Sequence, residues 1–151
     1  MSLLVFCFFV ALAALSGAFF KPGEWYDRLR KPKWNPPKWV FPVVWTILYA
    51  FIAVAGWLVW GEVGFGLLIV IWIIQLILNA AWSWFFFGLK RMDLAFIDVS
   101  GMWVAVAAFI ILAWPVSTTA SLLFVPYLLW VSTAALLNWT VWSLNPDAEK
   151  A

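Results

Sequence analysis

Gln75, Asn79 and Ser83 recur every four residues within one apolar stretch of the sequence. At that spacing they share one face of a helix, with Trp82 beside Asn79 at a spacing of three. A second stretch repeats the interval with Trp130, Ala134 and Asn138, large then small then polar, and a third sets Trp45 and Tyr49 one turn apart. The chemistry these residue types offer is hydrogen bonding from amides, a phenol and indoles, and stacking against a flat ring. Other chemistry is removed by composition. The 151 residues contain no histidine, which excludes a Ser-His-Asp triad, a His-ligated haem, an imidazole zinc site and an imidazole proton relay. The single cysteine, Cys7, cannot form an internal disulfide. Hydrolytic or metal-dependent catalysis is therefore not expected, and neither a resident cofactor nor a nucleic-acid partner is called for.

The stripes must be positioned by elements suited to lipid. Apolar residues make up 67% of the chain and charged ones 11%, with a mean hydropathy of +1.01, against about a quarter charged in a soluble domain. Runs long enough to cross a hydrocarbon core, which takes about 20 helical residues, fall at 2–20, 42–60, 65–87, 94–114 and 122–143. Turn chemistry separates them, and the one long connection is the first, 21–41. The predicted fold is all-α: a polytopic membrane protein, one five-helix transmembrane bundle forming a single domain over 1–151.

Five crossings place the first loop, the third loop and the C-terminal tail on one side. All nine Lys and Arg fall there: Lys21, Arg28, Arg30, Lys31, Lys33 and Lys38 in the first loop, Lys90 and Arg91 in the third, Lys150 in the tail. The positive-inside rule makes that side cytoplasmic in a bacterial-type inner membrane, with the N-terminus outside and the C-terminus in the cytoplasm. A signal peptide over the first run conflicts with its lack of a basic start and would force the basic loop across the membrane.

With ~1.5 Å of rise per residue, Asn79 and Asn138 both come within ~12 Å of the cytoplasmic interface, at the depth where Trp45 and Tyr49 begin the second span. Three helices thus bring amides, a phenol and indoles to one level, and the expectation is a polar-floored, aromatic-walled cavity opening toward the basic loop. The competing reading treats the amides as interhelical hydrogen bonds and the indoles as packing or interface anchors. Asp98, about one turn into the fourth span, is read as close enough to the interface to be hydrated or to meet Arg91. The prolines at 32, 36, 37 and 42 make the first loop a semi-rigid cover.

The segment Trp25-Tyr26-Asp27-Arg28-Leu29-Arg30-Lys31-Pro32-Lys33-Trp34-Asn35-Pro36-Pro37, followed by Phe41-Pro42-Val43-Val44-Trp45-Thr46-Ile47-Leu48-Tyr49, closely resembles the TspO/translocator-protein family of tryptophan-rich sensory proteins. Gln75 to Ser83, Pro126 to Trp130, Ala134, Leu137-Asn138 and Leu144-Asn145 continue the match in order. The resemblance implies a five-helix membrane protein, commonly a homodimer, that binds protoporphyrin-like tetrapyrroles and other planar hydrophobic small molecules in a cavity closed by the first loop. Matching pocket positions are Tyr26, Trp45, Asn79, Trp82, Trp130 and Ala134, to which the stripes add Tyr49 and Asn138. It implies a role in tetrapyrrole sensing and regulation, and a light- and oxygen-dependent porphyrin breakdown ascribed to tryptophans matching Trp45 and Trp130. The alternative is a transporter of porphyrin, sterol or other lipid-like solutes. The family's sterol pattern is broken here, with Trp139 and Ser143 in place of its Tyr and Arg.

Overall fold

The computed structural model describes residues 1–147, and over them the chain is helical with no strand. Lys150, part of the charge argument, lies outside the described residues. The helices are α1 (Leu3–Phe19), α2 (Glu24–Arg28), α3 (Val40–Val63), α4 (Leu67–Ser83), α5 (Met92–Ala113), α6 (Thr118–Leu123) and α7 (Val125–Leu144), with a π-helical turn, Trp84–Gly88, extending α4. Among the described residues, four stretches are long and apolar enough to cross a membrane: Val40–Val63, Leu67–Gly88, Met92–Ala113 and Thr118–Leu144. The 17-residue α1 is a shorter apolar helix. This is the architecture of a polytopic helical membrane bundle.

Local chemistry explains the breaks. Pro42 sits in the first turn of α3, where its missing N–H costs nothing, and the helix stops at Gly64, whose φ of 65° is left-handed. Ser117 caps α6 by accepting from the Ala120 N–H at 3.2 Å. The last crossing starts earlier than its predicted 122, at Thr118, and is broken at Phe124 just ahead of Pro126. The first loop contains the short helix α2, with Glu24 in its first turn and Arg28 in its last, each favourable to the helix dipole.

Packing places α4 between α1 and α5, α5 against α7, and α3 against α1 and α6. One core runs through the spans, centred on residues such as Ile52, Trp72, Val106, Phe109 and Tyr127. A second, smaller cluster lies at the loop end, where Leu29 is buried against Phe86, Met92, Ala95, Leu137 and Val141. There the first loop, not a helix, closes the bundle.

Candidate functional site

In lipid a buried amide must find a partner, because water cannot supply one. The amides of the stripes find one another. The Tyr49 hydroxyl donates to Asn79 Oδ1 at 3.1 Å, and Asn79 Nδ2 donates to the Tyr127 hydroxyl at 2.9 Å. Tyr127 in turn donates to Gln75 Oε1 at 2.7 Å, and Gln75 Nε2 ends the chain on the Trp72 carbonyl at 2.8 Å. Every donor points the same way, from α3 through α4 and α7 back to the α4 backbone. The Met102 sulfur lies 3.4 Å from the Tyr127 hydroxyl as a further acceptor. Asn138 belongs to a separate group: it accepts from Trp82 Nε1 at 3.0 Å and donates to the Met92 carbonyl at 3.0 Å. Ser83, half-buried, stands outside both groups.

Aromatic rings cover the α3 end of the chain. Trp45 stacks on Tyr49 with centroids 5.4 Å apart and meets Trp130 edge-on at 6.4 Å and Tyr127 at 6.3 Å, while Phe41 meets Trp130 at 5.6 Å. Ala134, one turn beyond Trp130, is half-buried against the core. The Trp130 Nε1 is buried and has no hydrogen-bond partner, so this ring cluster holds a buried donor that lacks an acceptor.

The first loop lies over the second group. The π-helical turn, a feature frequent at functional sites, swings Phe86 and Phe87 under it. Phe86 stacks on Trp82 at 4.9 Å, and Tyr26 meets Phe86 at 6.1 Å and Phe87 at 5.5 Å. The Lys31 ammonium sits 4.5 Å from the centre of the Tyr26 ring. Burial pushes the Tyr26 phenol above its usual 10.0, against the opposing hydrogen bond from Asn35. At the exposed edge Lys38 pairs with Asp27 at 2.7 Å, and this hydrogen bond holds the Asp27 carboxyl below the ordinary carboxylate range. The middle of the loop is tied by Asn145: its Oδ1 accepts from the Arg30 N–H at 2.9 Å and its Nδ2 donates to the Arg30 carbonyl at 2.8 Å.

The structure therefore joins Trp45, Tyr49, Asn79 and Trp130 in one cluster, and Tyr26, Trp82 and Asn138 in another beneath the loop. The amides are turned on each other, and the rings touch across the level where a hollow was expected. Open space lies alongside. A cleft of about 290 Å³ between α3 and α7 is walled by Trp130, and an apolar groove of about 490 Å³ runs between α1 and α4. Asp98 corrects its reading as an interfacial group. It is 6% exposed with one carboxylate oxygen lacking a hydrogen-bond partner, while Arg91 pairs with Asp93 at 2.7 Å. The reason is rotational: Asp98 shares the inward face of α5 with Ala95 and Met102. Tyr127 was not selected from the stripes although it lies three residues before Trp130, a spacing that puts both on one helical face. Phe86 and Phe87 carried no such signal, because a π-helical turn breaks the periodicity.

Fold and side-chain packing together define a multi-pass helical membrane protein with two clusters of aromatic rings and amides, one of them beneath a tied-down loop. The chain belongs to the TspO/MBR family, whose model matches residues 4–143. It is 41% identical over 153 residues to "Protein CrtK" of Rhodobacter capsulatus, covering 97% of this chain and 96% of that protein. It is 44% identical over 138 residues to the "Tryptophan-rich sensory protein" of Cereibacter sphaeroides, covering 91% and 87%. The "Translocator protein" of Homo sapiens is 37% identical over 147 residues, covering 89% and 85%.

Proposed function

We propose that this protein binds tetrapyrroles of the protoporphyrin type, and other flat hydrophobic molecules, at the Trp45, Tyr49, Asn79 and Trp130 cluster, and acts in tetrapyrrole sensing. The carrying observation is the uncommitted Trp130 N–H amid indole, phenol and phenyl faces, at the end of a hydrogen-bond chain that leaves the Tyr49 oxygen free to accept more. A flat ligand entering between these rings exchanges ring–ring contact for ring–ligand contact, so the opening costs little packing. Tyr26, Trp82, Ala134 and Asn138 hold the surrounding frame. The test is saturable protoporphyrin IX binding by the full chain in sealed phospholipid vesicles, kept dark and then lit. Saturable binding without net uptake supports the reading, and directional accumulation inside the vesicles would replace it with transport.

Within this reading Trp45 or Trp130 gives an electron to the light-excited porphyrin, the reduced pigment passes it to O2 as superoxide, and the indole radical cation is refilled by an electron from the pigment, whose own radical cation then combines with superoxide to give an oxygenated ring. Lit pigment loss should fall severalfold in the Trp45→Phe/Trp130→Phe variant. Equal loss in both proteins would remove the photochemical role. We also infer a homodimer, to be checked by cross-linking in vesicles, and an inner-membrane orientation with the first loop cytoplasmic. With Cys7→Ser in place, a Lys33→Cys thiol should react with an impermeant maleimide in inside-out vesicles and stay protected in right-side-out ones.

A further inference from the structure

Trp72, Trp82 and Trp103 each hand their ring N–H to an acceptor: the Ile52 carbonyl at 2.9 Å, Asn138 Oδ1 at 3.0 Å and Ser132 Oγ at 2.8 Å. Trp130 differs. Its Nε1 is buried and has no partner, and its ring is held by edge contacts with Phe41 and Trp45. Turning this indole gives up packing but breaks no hydrogen bond. Behind it lies the cleft of about 290 Å³, lined by Val44, Ile47 and Phe51 of α3 and by Pro126, Leu129 and Thr133 of α7. Ile47 and Leu129 are 50% and 65% exposed on apolar helices, so the mouth faces acyl chains. The two helices part here because α3 packs on α1 and α6 and meets α7 through the rings of Phe41, Trp45, Tyr127 and Trp130.

We propose that the α3–α7 cleft is the entrance by which a flat apolar ligand dissolved in the bilayer reaches the site, with the Trp130 indole as the gate it displaces. This rests on the binding reading above. The ligand class is a planar hydrophobic molecule with a carbonyl or carboxylate oxygen at its rim, because the displaced Nε1 then gains the acceptor it lacks. The route under the first loop is costlier. It requires breaking both Asn145–Arg30 hydrogen bonds and the Asp27–Lys38 pair, and exposing Leu29. A molecule already partitioned into lipid meets no such barrier at the cleft.

The test uses the full chain in phospholipid vesicles, with protoporphyrin IX as the probe and stopped-flow fluorescence as the readout. In a Cys7→Ser/Ile47→Cys/Leu129→Cys variant the two thiols are bridged across the mouth by a bifunctional methanethiosulfonate, and bridging is verified by mass. Association and dissociation should both slow by ~10-fold at an essentially unchanged Kd, since a gate changes rates and not the bound state. Reductant should restore both rates, which shows that the protein stayed folded. Unaltered rates in the verified bridged protein, or acceleration by Asn145→Ala with no effect of the bridge, would overturn the proposal in favour of the loop route. Absence of saturable binding in the unbridged protein would overturn the binding reading itself, and the entrance with it.

Discussion

Tyr127 has one hydroxyl proton and two lone pairs, and the structure uses them to connect Asn79 with Gln75 at the centre of the bundle. Removing the hydroxyl leaves an amide donor and an amide acceptor unpaired in a fully buried place. Tyr127→Phe should therefore lower stability by about 1–2 kcal/mol, seen as a lower Tm in detergent, and weaken protoporphyrin IX binding because Asn79 loses its fixed orientation. An unchanged Tm would mean that the amides find other partners. At this scale sequence spacing marked Gln75, Asn79 and Asn138 as inward-facing, which they are, since a polar group in lipid has to turn away from it. Spacing could not say that Asn79 pairs with Tyr127 while Asn138 pairs with Trp82. That depends on how the helices are rotated against each other, as does the burial of Asp98.

Between elements, side chains of α1 and α4 press directly on α3 at Gly56. A Cβ there would lie 2.7 Å from Trp72 Cε2 and 2.9 Å from Phe6 Cδ1, below any ordinary carbon contact. The Trp72 ring is pinned in that position by its hydrogen bond to the Ile52 carbonyl, so it has little freedom to move aside. Gly56→Ala should cost about 1–3 kcal/mol through overpacking, read as a lower Tm, while a Gly61→Ala control, whose Cβ meets nothing within 4 Å, should hold or raise Tm because Ala is the better helix former. A loss of Tm at Gly61→Ala as large as at Gly56→Ala would show that the close contact with Trp72 and Phe6 is not responsible, since helix propensity alone favours Ala at both sites. Apolar run length made the spanning helices legible, because crossing a bilayer demands it. The π-helical turn was not legible: its aromatic residues read as a continuing helix, and only their contacts with Trp82 and Tyr26 give the wider turn its use.

For the whole molecule, the loop end is a joint between residues far apart in the chain, and its chemistry sets a pH window. The Tyr26 phenol, raised above 10.0 by burial, is neutral in open and closed forms below that value. Closure is then at full strength, and it weakens as pH climbs through the raised value because the open form ionises first. Asp27 acts oppositely: its lowered value means the Lys38 pair contributes above the usual 3.8 and is lost as pH falls. The tyrosinate absorbance difference between the parent and Tyr26→Phe should accordingly titrate above 10.0, and a transition at the ordinary value would show that the loop does not cover the ring. Sequence by itself determined the membrane class, the family and the inward turn of Gln75, Asn79 and Asn138, since these follow from hydropathy, motif order and periodicity along one chain. Only the tertiary structure decided that the amides satisfy each other, that Trp130 is left without an acceptor beside a lipid-facing cleft, and that Asn145 ties down the loop. Hydrogen-bond partners and gaps are properties of distances between helices, which no local pattern in the chain specifies.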